Sequence, residues 1–249
     1  MDLSGKVAFI TGSSKNMGRA FADALAKAGA DVAVHHRSSN TKGEAEQTAQ
    51  LVRAKGRRAL IVEGELSNPK TVRAIFAKIL ETFGRVDIVI NNAGKVIKKP
   101  FIDITEEDFD SSFGVNAKAA FFVMQEAARH IKDGGRIINM GTSLLGVTTP
   151  FYSVYAGSKA PLEDFTRALA KEIGERGVTV NTVAPGPIDT DFFHGQETPD
   201  SVSMFTQMSV AKRLGMIEDI VPVIEFLASP RSQWVTAQTL FVNGGLLAR

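Results

Sequence analysis

Cysteine is absent from the 249 residues, which excludes disulfides and a thiolate nucleophile; a reducing compartment fits such a chain. An excess of either charge is also missing. Twenty-nine Lys and Arg stand against 27 Asp and Glu, a net charge of +2. No block of like charges concentrates it, so nothing argues for a nucleic-acid partner. Long apolar runs are scarce as well. The first, Lys6-Val7-Ala8-Phe9-Ile10-Thr11, is too short for a signal segment or a membrane span and ends in a glycine turn. A cytoplasmic protein with no membrane partner is expected. No linker, low-complexity tract or change of composition marks a boundary, so residues 1–249 read as a single domain.

What the chain does have is alternation. Short apolar runs at 6–11, 31–35, 59–63, 86–90, 135–140, 178–183 and 238–242 are separated by longer amphipathic stretches. The latter predict helices near 17–28, 41–55, 69–83, 105–131, 152–175 and 217–227. The strands are continuous Val/Ile/Leu/Ala runs, which suits a parallel sheet covered on both faces. The order predicts one doubly wound α/β domain. Residues 186–216 offer no clear strand and are rich in Phe, Met, Gly and Pro. A segment of that length in a compact domain is expected to be a lid or substrate loop.

Chemistry gathers at the ends of the strands. The first strand runs into Gly12-Ser13-Ser14-Lys15-Asn16-Met17-Gly18 and then a helix. Glycines there let the backbone approach a pyrophosphate, whose charge sits at the helix N-terminus. Asn16 replaces an expected glycine, and asparagine tolerates the left-handed backbone such a turn requires. The second strand ends His35-His36-Arg37-Ser38, with no carboxylate to hold the ribose hydroxyls of NAD. Arg37 and Lys15 would converge on a 2′-phosphate, so NADP(H) is favoured and NAD(H) stays possible. His35 and His36 should face opposite sides of the strand, and no metal site is expected. Asn91 and Asn92 can close backbone groups left unpaired where the sheet opens.

Tyr155 and Lys159 lie four residues apart, so on a helix they share one face. A phenol titrates near ~10 in water, and a neighbouring ammonium favours its ionised form, making it a usable acid near neutrality. Tyr152 has Ala156 four residues on and no such cation. Pro161 should bend this helix just beyond Lys159.

With Thr11–Gly18, Asn91–Gly94 and Tyr155–Lys159 in this order and spacing, the whole chain resembles the short-chain dehydrogenase/reductase family. The resemblance implies a Rossmann-type sheet of seven parallel strands, flanked by helices, that holds a nicotinamide dinucleotide. It implies hydride transfer between nicotinamide C4 and a carbonyl or secondary alcohol, with Tyr155 as acid and Lys159 lowering its pKa and binding the ribose. Gly12 and Gly18 match the family's cofactor turn. Asn92, Ala93 and Gly94 match the motif behind the cofactor. Glu65-Leu66 takes the place of a pair that touches the adenine, and Asn116 matches an asparagine that holds a water beside the active lysine. Pro185-Gly186-Pro187-Ile188-Asp189-Thr190 matches the segment whose Ile188 backbone and Thr190 hydroxyl hold the carboxamide. The catalytic hydroxyl falls on Thr142 without a gap, or on Ser143 after a one-residue shift.

The expected substrate is a small carbonyl or alcohol, in the first instance an apolar or aryl ketone or keto ester. The residues behind that expectation are Val96, Leu144, Phe151, Phe192, Phe193, Met204, Phe205 and Met208. Reduction of a 3-oxoacyl carrier protein is the alternative, with Arg129, Lys132, Arg167 and Lys171 as a basic patch for an acidic carrier. A dinucleotide-binding sensor without turnover is the alternative of another class. The family resemblance further implies a homotetramer built through the helices near 105–131 and 152–175 and the closing strand.

Overall fold

The computed structural model describes residues 1–248. Seven strands form one parallel sheet: β1 (Val7–Ile10), β2 (Asp31–His36), β3 (Ala59–Glu63), β4 (Ile88–Asn91), β5 (Arg136–Met140), β6 (Thr179–Pro185) and β7 (Thr239–Val242). Their spatial order is β3-β2-β1-β4-β5-β6-β7. Every pairing is parallel, with Phe9 opposite Ala33 on one side and Val89 on the other. The order reverses between β1 and β4, and ligands in such sheets bind in the crevice beyond the strand ends there.

Side chains alternate across a strand, so β1 feeds two cores. Ala8 and Ile10 join one cluster with Phe21 and Leu25 of α1 (Asn16–Lys27), Val52 of α2 (Lys42–Ala54) and Ile224 of the helix Ile217–Ala228. Val7 and Phe9 join the other, with Val72 and Phe76 of α3 (Pro69–Phe83). Each fully buried side chain of this size stabilises the fold by about 1.5–3 kcal/mol, which is why continuous apolar runs specify these strands.

The expected helix over 105–131 is three pieces. α4 (Glu106–Phe113) opens on a capping box between Thr105 and Asp108. A wider π turn spans Gly114–Lys118, and α5 (Ala119–His130) follows. Such turns are rare and often accompany functional sites; this one carries the buried Asn116.

The stretch 152–175 is α6 (Ser153–Lys159) and α7 (Pro161–Ile173). Ala160 keeps helical angles (φ −55°, ψ −42°). Pro161 therefore interrupts the hydrogen-bond ladder, having no N–H, while sitting at the first position of α7, where proline is tolerated. The interruption falls two residues beyond Lys159.

Residues 186–216 have no strand, as expected, but they are not structureless. They form α8 (Asp191–His194) and α9 (Pro199–Met208), the latter capped by Thr198 and Ser201. The last helix, Ile217–Ala228, is α10. No helix among the described residues is long and apolar enough to cross a membrane.

Candidate active site

A cavity of about 540 Å³ opens along the C-terminal ends of the strands. Its floor is the β1–α1 turn. Gly12 sits at φ +61°, where a Cβ would stand 3.0 Å from Ala93 Cα. Gly18 is tighter, since a Cβ there would meet Gly12 O at 2.3 Å and Asn92 Nδ2 at 2.7 Å. Asn16 adopts φ 48°, the left-handed conformation its substitution for glycine called for. The first turn of α1 has no side-chain cap and no acidic residue, so its unpaired N–H groups and positive dipole end offer a seat for an anion. Ser14, Lys15, Asn16 and Met17 line the cavity at that point.

Of the two amides at the end of β4, Asn92 closes backbone groups as expected, while Asn91 chiefly bonds a side chain. Asn92 Nδ2 donates to Thr11 O at 3.0 Å and Gly12 O at 2.9 Å. Asn91 Nδ2 donates to Asn139 Oδ1 at 2.8 Å. Together they staple β4 to β1 on one side and β5 on the other, at the place where the sheet divides.

His35 is a residue the sequence left without a role. It is buried under the turn, with Gly12 N–H donating to its Nδ1 at 3.0 Å and its Nε2 lying 2.9 Å from Gly64 O. Since Nδ1 accepts, Nε2 carries the proton and donates. Burial pushes this imidazole down to about 4 and keeps it neutral. His36 points elsewhere, to Ser38 O and Glu63. Among the described residues no group of His, Asp and Glu could hold a metal.

At this outer end Arg37 is 70% exposed, with Nε 2.7 Å from Glu65 Oε2. Lys15 Nζ lies 3.9 Å from Glu44. Both cations border the cavity, as do His36 and Thr41. Glu65, Leu66 and Ser38, three residues expected to touch the dinucleotide, are not part of the cavity wall. Glu65 is turned to Arg37, Leu66 is buried in the core beside α3, and Ser38 opens the short turn Ser39–Thr41.

The inner end holds Tyr155 and Lys159, both on the cavity wall. The Thr142 side chain stands beside the Tyr155 phenol and favours its ionised form, but burial outweighs it and pushes the pKa up to about 12. The sequence predicted the opposite shift, from the neighbouring ammonium; desolvation wins in this structure. Lys159 is likewise pushed down to about 8 by burial, and it donates to Met140 O at 2.7 Å. Ser143 commits its hydroxyl to Ala184 O at 2.9 Å, joining β5 to β6. Of the two candidate hydroxyls, Thr142 is the one beside the tyrosine.

Asn116 lies behind the wall. Its Oδ1 accepts from Lys95 N at 2.9 Å, and its Nδ2 donates to Lys95 O at 2.8 Å and Ser158 Oγ at 2.9 Å. The π turn thereby holds the loop after β4 against α6. Gly94 permits this, since a Cβ there would stand 3.3 Å from Asn116 Oδ1 and 3.5 Å from Lys159 Nζ. Pro185, Gly186, Ile188 and Thr190 line the same cavity as Gly94 and Tyr155.

A family model described as enoyl-(acyl carrier protein) reductase matches residues 12–247. A short-chain type dehydrogenase/reductase of Picea abies is 38% identical over 253 residues, 98% of this chain and 93% of that one. The chain is a short-chain dehydrogenase/reductase. Like that family it is an oxidoreductase. This short-chain dehydrogenase/reductase is also 35% identical over 259 residues to the hydroxynaphthalene reductase-like protein Arp2 of Metarhizium acridum, covering 98% of this chain and 95% of that protein. The crystal structure of a putative dehydrogenase from Burkholderia cenocepacia with bound NADP superposes with a TM-score of 0.96. It is 43% identical and covers 100% of this chain and 96% of that one.

The cavity of this short-chain dehydrogenase/reductase has an aromatic end. Val96, Leu144, Phe192, Phe193 and Phe205 line it, and Phe192 lies 6.4 Å from Tyr155 between ring centroids. Phe151, Met204 and Met208, also expected there, are exposed and are not part of the wall. Tyr152, Gln196 and Glu197, which the sequence did not single out for the pocket, are.

Proposed function

We propose that this enzyme reduces an apolar or aryl ketone or keto ester using NADP(H), with Tyr155 as the proton donor. The observation that carries the reading is the Tyr155–Thr142 hydroxyl pair at the inner end of a cavity whose outer end is cationic. The uncapped first turn of α1 and the glycines packed beneath it suit a pyrophosphate, and Arg37 and Lys15 suit a 2′-phosphate. Ile188 and Thr190 would hold the carboxamide.

When bound, the dinucleotide supplies the hydride. The chain's part is to hold the carbonyl oxygen with the Thr142 and Tyr155 hydroxyls and to deliver the phenolic proton as charge grows on that oxygen. A phenol pushed up to about 12 is protonated at neutral pH, the state a reduction requires. Lys159, one helical turn on, places positive charge beside the phenolate left behind. Arp2, by its description a hydroxynaphthalene reductase-like protein, supports an aryl substrate.

The acyl-carrier reading has less support. Arg129 is paired with Glu126, and Arg167 with Glu163 and Asp164, so two of the four cations of the basic patch are neutralised. Against a sensor without turnover stands the full set of Tyr155, Lys159 and Thr142 on one cavity wall. A homotetramer is supported by apolar side chains left in the open, Phe109 and Phe121 on α4 and α5 and Trp234 (99% exposed) beside β7.

The test is oxidation of NADPH and of NADH with a panel of aliphatic and aryl ketones, in the wild type and in Arg37→Ala. The expected result is turnover with NADPH preferred, and a preference about tenfold weaker in the variant, as for loss of one charge-assisted phosphate contact. Cofactor binding without turnover on any ketone would favour the sensor, and an unchanged preference in Arg37→Ala would remove the argument from Arg37.

A further inference from the structure

The substrate end is aromatic except at one place. The Glu197 carboxylate has a side-chain exposure of 0%, and both of its oxygens are engaged. Lys98 Nζ donates to Oε2 at 2.5 Å, and the Tyr152 hydroxyl donates to Oε1. Lys98 Nζ also stands 5.3 Å from the centroid of the Tyr152 ring. A carboxylate taken out of water persists only when paired and hydrogen-bonded, and removing one partner strands its charge.

These three residues come from three separate segments. Lys98 follows β4, Tyr152 immediately precedes α6, and Glu197 lies between α8 and α9, next to the capping residue Thr198. A backbone bond from Lys99 N to Phe151 O at 2.9 Å joins the first two. Glu197 therefore anchors the lid to the body of the protein. On its N-terminal side it follows Phe192 and Phe193, and α9 beyond it carries Phe205. Phe193 packs on Phe205 at 5.8 Å, and Phe192 faces Tyr155. These rings form the wall against which a bulky substrate would rest, and the Glu197 carboxylate is fully engaged by Lys98 and Tyr152.

We propose that Glu197 is a specificity-determining positioning residue: pinned by Lys98 and Tyr152, it fixes the aromatic lid wall opposite Tyr155 and so selects aryl over small ketones. The kinetic part rests on the ketone-reductase reading above; the structural part does not.

The test compares wild type with Glu197→Gln, Lys98→Met and the double variant. Amide exchange over 191–208 is expected to rise about tenfold in each single variant, within that segment, and no further in the double variant, because both changes break one latch. The KM for an aryl ketone is expected to rise about tenfold with kcat within about threefold, and the KM for a small aliphatic ketone to change much less. The Kd for NADPH, read by nicotinamide fluorescence, should stay within about twofold, since the latch lies at the other end of the cavity.

Unchanged exchange overturns the proposal, and so does an increase spread over the sheet, which would mark Glu197 as a folding strut. An equal KM rise for large and small ketones overturns the selectivity claim. A wild type inactive on every ketone would instead remove the proposed function, and the exchange measurement would still decide whether the latch exists.

Discussion

Lys159 donates to the Met140 carbonyl oxygen at 2.7 Å, tying α6, which carries Tyr155, to the last residue of β5. Two residues beyond Met140 stands Thr142, beside the Tyr155 phenol. The two hydroxyls are thus held by a strand end and a helix turn fixed to each other, and rigid elements hold a site more precisely than loops do. The burial that fixes them also favours the uncharged form of both Tyr155 and Lys159.

The two hydroxyls after β5 should separate by experiment. Thr142→Val removes a donor to the substrate oxygen while keeping the shape, and kcat should fall about 10²-fold. Ser143→Ala removes the bond to Ala184 O and should cost about 1 kcal/mol of stability in urea unfolding, with a much smaller effect on kcat. The reverse ranking would move the catalytic role to Ser143.

Lys159 sets an alkaline limit. Its ammonium, pushed down from 10.5 to about 8, is charged below that pH and neutral above it. The positive charge beside Tyr155 is therefore present at low pH and lost as pH rises, so kcat/KM for ketone reduction should fall above about pH 8. Lys159→Arg stays charged and should carry that fall to higher pH. A wild-type profile flat to about pH 9.5 would contradict the assignment.

His35 should appear in the pH dependence of folding. Its folded pKa of about 4 lies below the ordinary 6.5, so between these values the unfolded chain binds the extra proton. The stability it confers is complete above pH 6.5 and lost as pH falls through about 4, on the order of 3 kcal/mol in total. His35→Asn keeps an acceptor for Gly12 N–H and does not titrate, so urea unfolding of this variant should lose that part of the slope. The same slope in both proteins would place the titrating group elsewhere.

The fold was legible because buried parallel strands must be continuously apolar. β1 displays the rule, with Phe9 filling one core and Ile10 the other. The π turn at Gly114–Lys118 was not legible, since it differs from the neighbouring helix by one hydrogen-bond register rather than by composition. α9 did carry a signal, Thr198-Pro199 followed by Ser201, which is a capping pattern with proline at the first helical position.

At the site, spacing along the chain revealed Tyr155 with Lys159 and the glycine turn, because those residues are close in sequence. Glu65 beside Arg37, His35 under Gly12 and Glu197 between Lys98 and Tyr152 are pairings made by the fold across 28, 23, 99 and 45 residues. The direction of the Tyr155 shift escaped for the same reason: sequence supplies the neighbouring ammonium but not the depth of burial.

The most direct test is Tyr155→Phe, with ketone reduction and the Kd for NADPH measured on the same preparation. The account predicts a fall in kcat of about 10³-fold, within the range for a lost general acid, with the Kd within about twofold of wild type. Reduction persisting within about tenfold of wild type would show that the proton comes from another group.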